Sequence, residues 1–423
     1  MVKRPPDAAA AIRAEWREHW RVGVSVMFAA GFGYTVWPSV SSMFVEPLQR
    51  SFGWSRGQIA FTYYGTILAS LLAPGLGMLI DRVGARLVLL VALAVVAICY
   101  GLLAALPAGL WTYYAVSAVA GLAGMGTSGI STTRIVNGTF SNTRGFALAA
   151  TRAGLAISAA LLPPLLFAVI NLWSFRAGFA TLGLLVVLMP LPLGWLWFPR
   201  REVDASPRLM GSPGPFSSSR LLITDRRVLC LCLAAAFNYA PVFAILSQLK
   251  PLGAAKALTE GTAVLAVSIA GLASFGGAIV SGLLVDRLWA PGVAFGVNIL
   301  GALGCLLLTS HAPGPLVFVV GIALIGFGQG AEIDIVAYII ARWHGMASYG
   351  FLFGLTALTI ALIGSIGAML IAIGYDTYGN YQLALVICSG SFCLAALLYL
   401  SLGRPPLGVD LTRSATLPKS GAL

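Results

Sequence analysis

The chain has 423 residues, of which 59% are hydrophobic and only 9% charged, where an ordinary soluble domain carries roughly a quarter charged residues. That balance excludes a soluble globular fold, because no core could hide so much apolar surface. The formal net charge of +12 lies mostly in the connections between apolar runs, which excludes a nucleic-acid surface as its explanation.

Crossing the hydrocarbon core takes about 20 apolar residues in a helix. In chain order such stretches run from Val22 to Phe44, Gln58 to Ile80, Leu87 to Leu106, Trp111 to Thr133, Phe146 to Ile170 and Ala177 to Phe198. After a polar stretch they resume as Val228 to Leu249, Thr262 to Val285, Pro291 to Thr309, Pro315 to Ile340, Phe351 to Gly374 and Tyr381 to Leu402. Unbroken apolar runs predict helices, since barrel strands would alternate polar and apolar over about ten residues. The predicted fold is an all-α membrane protein of twelve spans in two pseudo-symmetric six-helix bundles, 22–198 and 228–402. Tails at 1–21 and 403–423 flank them, and residues 199–227, with Gly-Ser-Pro-Gly-Pro and Ser-Ser-Ser, read as a flexible linker.

With the N-terminus inside, the inside segments hold nineteen Lys and Arg against five outside. This bias predicts both tails and the linker in the cytoplasm of a multi-pass protein of the cell membrane, which would be the inner membrane if the cell is Gram-negative. The basic first 20 residues lack the apolar region and cleavage site of a secretory signal. All six cysteines fall within apolar spans, so neither a disulfide framework nor a zinc site is expected. His19, His311 and His344 have no metal-ligand company. No Walker loop, nucleotide fingerprint or nucleophile constellation is present, so no enzyme and no cofactor is expected.

One charged hairpin is repeated. Gly77-Met-Leu-Ile-Asp81-Arg82-Val-Gly84-Ala-Arg86 returns 205 positions later as Gly282-Leu-Leu-Val-Asp286-Arg287, each time after an apolar run. The same offset pairs Tyr34 with Tyr239, Gly145-Phe146 with Gly350-Phe351, and Asn171 with Asp376. Gly77 would allow close helix packing, Gly84 a tight turn, and Asp81 and Arg82 could cap helix ends. Asn171 and Asp376 read as turn or cap residues.

The pattern G-x-L-x-D-R-x-G-x-R between spans 2 and 3, in a chain of two six-helix halves, resembles the major facilitator superfamily. The resemblance covers essentially all twelve spans. It implies alternating access, a hairpin that latches the halves together on the cytoplasmic face in one conformation, and a central cavity lined by spans 1, 4, 7 and 10. The segments Phe52-Gly53-Trp54-Ser55-Arg56 and Phe140-x-x-x-Arg144-Gly145-Phe146-Ala147-Leu148-Ala149 look like those of the monocarboxylate transporter group and its bacterial relatives, the oxalate/formate-type exchangers.

Ionisable residues inside spans are the first site candidates, because hydrocarbon makes them expensive. Arg134 and Arg152 lie nine residues to either side of Thr143, each roughly 10 Å in from that loop at 1.5 Å per helical residue. Two guanidiniums on consecutive antiparallel helices could hold a carboxylate, or Arg134 could snorkel and Arg152 fasten helices as an ion pair. Glu332 and Asp334 in span 10 lie about 200° apart around the helix. One is expected to line the cavity and the other to contact a neighbouring helix or the opposite half, and either could carry a proton or form a structural pair with Arg134 or Arg152. Tyr34 and Trp37 in span 1, with Asn238 and Tyr239 in span 7, are candidates for stacking an aromatic substrate, with core packing the alternative.

The expected function is a secondary active transporter of a small organic anion, a monocarboxylate or aromatic acid, with the proton as coupling ion. Its partners would be that acid, the proton and the bilayer, and it would act as a monomer. The alternatives are an efflux antiporter for hydrophobic compounds and a non-transporting membrane receptor with the same fold.

Overall fold

The computed structural model describes residues 8–72, 76, 79–80, 82–106, 109–140, 143–199, 225–285, 287–310, 314–343 and 349–403. In the first half the helices are α1 Ala8–Phe32, α2 Trp37–Val40, α3 Ser42–Phe52, α4 Arg56–Ala60, α5 Tyr64–Leu71, α6 Ala85–Ala104, α7 Leu110–Gly126, α8 Gly129–Thr139, α9 Arg144–Leu172, α10 Phe175–Leu188 and α11 Pro190–Trp197. In the second they are α12 Arg226–Ser247, α13 Leu249–Ala255, α14 Glu260–Val285, α15 Ala290–Thr309, α16 Pro315–Trp343, α17 Tyr349–Tyr378 and α18 Gln382–Ser401. Among the described residues nine helical stretches are long and apolar enough to cross a membrane. They are predicted spans 3 and 5 to 12.

Spans 1 and 4 are broken helices, which the hydropathy pattern does not distinguish from continuous ones. The first helix starts at Ala8, well ahead of Val22, and stops at Phe32. A 3₁₀ turn over Tyr34–Val36 then leads into α2, with Pro38 in its first turn, and α3. Span 4 breaks between Gly126 and Gly129, where the Ser128 hydroxyl accepts from the Ile130 amide and caps α8. The two breaks pack on each other. Thr127 Oγ1 accepts from the Tyr34 amide at 3.0 Å, and a side chain on Gly124 would lie 2.5 Å from the Tyr34 ring. Backbone groups freed in hydrocarbon must find partners, and here one break supplies the other.

Within each half, small residues set the helix contacts. A Cβ on Gly330 of α16 would lie 1.6 Å from the Ser274 carbonyl of α14, and one on Gly154 of α9 would lie 2.2 Å from the Met27 carbonyl of α1. Lipid gives helices no hydrophobic reason to associate, so backbone proximity at glycine supplies dispersion contact instead. The halves meet along α9 against α14 and along α17 against α4 and α5. These are spans 5 with 8 and 11 with 2, which the 205-residue offset exchanges. The interface therefore carries the internal repeat as an approximate two-fold.

Candidate functional site

Arg152 on α9 and Asp334 on α16 reach across the interior from opposite halves. Arg152 Nη1 donates to Asp334 Oδ2 at 2.6 Å, and the side chains keep 40% and 30% of their surface exposed. Neither partner is sealed into packing, so the pair borders open space between the halves. Of the two readings open for Arg152, the ion pair is the one this conformation holds. Arg134, on α8, is half-buried.

Glu332, two residues before Asp334, points into the C-terminal bundle and is fully buried. The Tyr399 hydroxyl of α18 donates to its Oε1. Asn298 of α15 flanks the carboxyl, and Asn238 of α12 donates from Nδ2 to Asn298 Oδ1 at 3.0 Å. The 200° separation of the two acids thus gives them different surroundings: Asp334 faces the other half, Glu332 its own. Tyr239 stands close enough to feel Glu332, Arg152 and Asp334, and its hydroxyl donates to the Gln329 carbonyl at 3.2 Å.

The span 1 aromatics are placed differently from each other. Trp37 is buried inside the N-terminal bundle, its ring 5.9 Å from Phe44 and 6.2 Å from Phe179 in stacked arrangements. That packing occupies the ring faces, which corrects its assignment as a platform for a substrate ring in this conformation. Tyr34 stacks on Trp37 at 6.1 Å and remains partly exposed.

Of the repeated hairpin, Gly77, Asp81 and Asp286 lie outside the described residues. Gly84 has φ of +89° and starts α6, the tight turn that glycine permits. Arg82 and Arg287 are exposed, and Gly282 faces open space. Arg86 donates to the Trp195 carbonyl at 2.7 Å and lies 5.8 Å from that ring, so it binds α11 of its own half.

The opposite face carries an inter-half connection that sequence reasoning did not assemble. Asp376, near the end of α17, accepts from the Arg56 amide at 3.1 Å and the Gly57 amide at 2.6 Å, the first two of α4. The Arg56 guanidinium lies 3.6 Å over the Tyr375 ring and donates to the Tyr381 hydroxyl, which donates to Gln248 Oε1 at 3.2 Å. Beside it, Lys250 reaches Glu46 of the other half at 3.3 Å and Glu260 of its own at 3.8 Å. Asp376 is indeed a cap, but of a helix in the other half. Asn298 and Tyr399 were also missed. An amide inside apolar span 9 was the available signal for the first, whereas a tyrosine in span 12 offered none.

The Major Facilitator Superfamily model matches residues 24–342. The search of curated proteins found no match. Among solved structures, a bacterial homologue of the human lysosomal transporter Spinster, inward-facing and occupied, superposes with a TM-score of 0.66 at 16% identity, over 93% of this chain and 98% of that one. Its inward-facing, unoccupied form gives 0.65 at 15% identity, over 92% and 95%. A mutant of the nucleoside transporter NupG gives 0.73 at 12% identity, over 90% and 100%. With the family model covering most of the chain and the broken-helix bundles matching in fold, the protein belongs to the Major Facilitator Superfamily and is a multi-pass membrane transporter.

Proposed function

We propose that the protein is a secondary active transporter that moves a small organic anion, a monocarboxylate or aromatic acid, by alternating access with proton coupling. The observation that carries the reading is the Arg152–Asp334 pair, which bridges the halves while remaining partly exposed. A substrate carboxylate presents the same oxygens as Asp334 and competes for the guanidinium, which favours such charge-assisted bonds. Binding then separates the halves electrostatically at that point and gives the substrate a differential affinity for one conformation, which a ligand-driven switch requires. The segment Phe140 to Ala149 entering span 5, similar to that of monocarboxylate and oxalate/formate carriers, supports the same substrate class, and the hairpin similarity supports a latch on the cytoplasmic face.

The positive-inside bias supports placing the tails and linker in the cytoplasm and the Arg56–Asp376 connection on the outer face. In that orientation the outer face is shut, and access to Arg152 is from the cytoplasm. The test is thermal unfolding of the purified protein against a panel of carboxylic acids, followed by uptake of the stabilising acid into proteoliposomes under a pH gradient. A stabilising acid whose uptake follows the gradient supports the reading. Stabilisation and flux confined to neutral or cationic compounds would overturn it.

A further inference from the structure

The C-terminal end of α16, on the face of the hairpins, carries a donor pair that the Arg152–Asp334 contact does not use. The Arg342 guanidinium donates from Nη1 to the Tyr338 hydroxyl at 2.8 Å and lies 5.6 Å from that ring. Arg342 is exposed and Tyr338 half-buried. A tyrosine hydroxyl that accepts from a guanidinium keeps its own hydrogen to give. Among the described residues that hydrogen has no acceptor and Arg342 has no acidic partner.

Asp334, Tyr338 and Arg342 follow one another at intervals of four residues. Each interval turns the helix by about 40° and advances it by about 6 Å, so the three share one side, with Arg342 about 12 Å beyond Asp334. Other arginines on this face are held differently. Arg86 donates to the Trp195 carbonyl, and Arg21 lies 5.8 Å from the Trp20 ring and 5.9 Å from the Trp197 ring. Neither shares a helix with Asp334. A guanidinium and a hydroxyl that converge without an acceptor between them suit an anion, and the two oxygens of a carboxylate can take both donors at once. A cation at the entrance of a low-dielectric cleft also raises the local concentration of anions and the rate at which they arrive.

We propose that Arg342 and Tyr338 form a staging subsite for the substrate carboxylate, at the entrance to the space that Arg152 and Asp334 border. The Arg342 N–H groups and the Tyr338 O–H hold the acid there, and about 12 Å further along α16 it moves onto the Arg152 guanidinium as Asp334 lets go. The inference rests on the proposed transport of a carboxylate and adds to it a second, weaker site that governs arrival and not retention.

The experiment uses the full chain in lipid nanodiscs, with formate, pyruvate and benzoate as probes. Broadening of the isotope-labelled carboxyl resonance gives their association and dissociation rates. Arg342→Gln should slow association by at least about fivefold at low salt, leave dissociation unchanged, and lose most of its effect at high salt. Tyr338→Phe, which keeps the ring and the charge, should slow association by about twofold through the lost donor. Arg17→Gln removes an exposed charge from a different helix on the same face and should leave the rate at its wild-type value. The proposal is overturned if Arg342→Gln associates at the wild-type rate, as it would if Arg342 served only topology or closure, or if Arg17→Gln slows association equally. Should Arg342→Gln fail to fold, Tyr338→Phe decides, and an unchanged rate there overturns the proposal. Arg152→Gln separates the two readings. Binding lost in Arg152→Gln with Arg342→Gln at wild-type rates sinks this inference alone, and slowed arrival in Arg342→Gln with binding intact in Arg152→Gln sinks only the inner site. No broadening of any probe by the wild type sinks the substrate reading and the staging subsite with it.

Discussion

The two halves grip each other at two places that differ in chemistry. On the face away from the hairpins, Arg56 and Asp376 do not pair with one another. Arg56 lies on the Tyr375 ring and bonds the Tyr381 hydroxyl, and Asp376 takes two backbone amides at the start of α4. Each charge is met by dipoles of the other half near the membrane edge, where water can replace them when the face opens. In the interior, Arg152 and Asp334 meet charge to charge. Both keep part of their surface exposed, so separating them costs less than breaking a sealed pair, yet each partly buried charge still loses its opposite partner. On the proposed function, the peripheral contact opens and closes by exchange with water, whereas the central one opens when a substrate anion takes the place of Asp334.

The largest expected effect follows from that difference. Replacing Arg152 by Gln should lower the initial rate of carboxylate uptake by about 10- to 100-fold, since a hydrogen bond to a charged group contributes about 1.5–3 kcal/mol. Replacing Asp334 by Asn removes the competitor, so the apparent KM should fall while turnover slows. Equal uptake in wild type and Arg152→Gln would erase the distinction between the two contacts.

The next effect concerns the surface along which the halves move. A Cβ on Gly271 of α14 would lie 2.9 Å from the Ala159 Cβ of α9. Gly271→Ala should cost about 1–3 kcal/mol by overpacking, read as a lowered Tm, and should also slow uptake. If both stay at wild-type values, the α9–α14 crossing is looser than its geometry implies.

How much of this was legible in the sequence depends on the range of each interaction. The twelve spans, the two bundles and the offset between them follow from local hydropathy and repetition, which need no tertiary information. Glu332 and Asp334 were separable because helical geometry alone puts residues two apart on different faces. A pair between one of these acids and Arg134 or Arg152 was open from charge alone, but which acid meets which arginine was not, since nothing local ties Arg152 to Asp334 182 positions away, and nothing pointed to Tyr399 for Glu332, 67 positions away. The break in span 1 was hidden for the same reason: Thr127, 93 positions on, receives the amide that the break frees at Tyr34. Trp37 shows the opposite case, since its place in span 1 suggested a cavity while its neighbours Phe44 and Phe179 enclose it.

The smallest effects separate a local cap from a remote one on the same short helix. Asp376→Ala removes acceptors from the Arg56 and Gly57 amides, a loss of about 0.5–2 kcal/mol for capping interactions of this kind. It falls only on the conformation in which the halves touch at this face. Spin labels at Ser51 and Ala254 should then report longer distances, and an unchanged distribution would show that Asp376 does not hold the face shut. Ser55, by contrast, caps α4 from within the same half, accepting from the Gln58 amide at 3.2 Å while Gln58 Oε1 accepts from the Ser55 amide at 2.9 Å. That box is legible in the sequence as Ser-x-x-Gln and persists whichever face is open. Ser55→Ala should cost about 1 kcal/mol in both conformations, so hydrogen exchange at the Gln58 amide should quicken by about fivefold while the label distances stay at their wild-type values. A shift in those distances would mean that the local cap, and not the carboxylate from the opposite half, sets the closure.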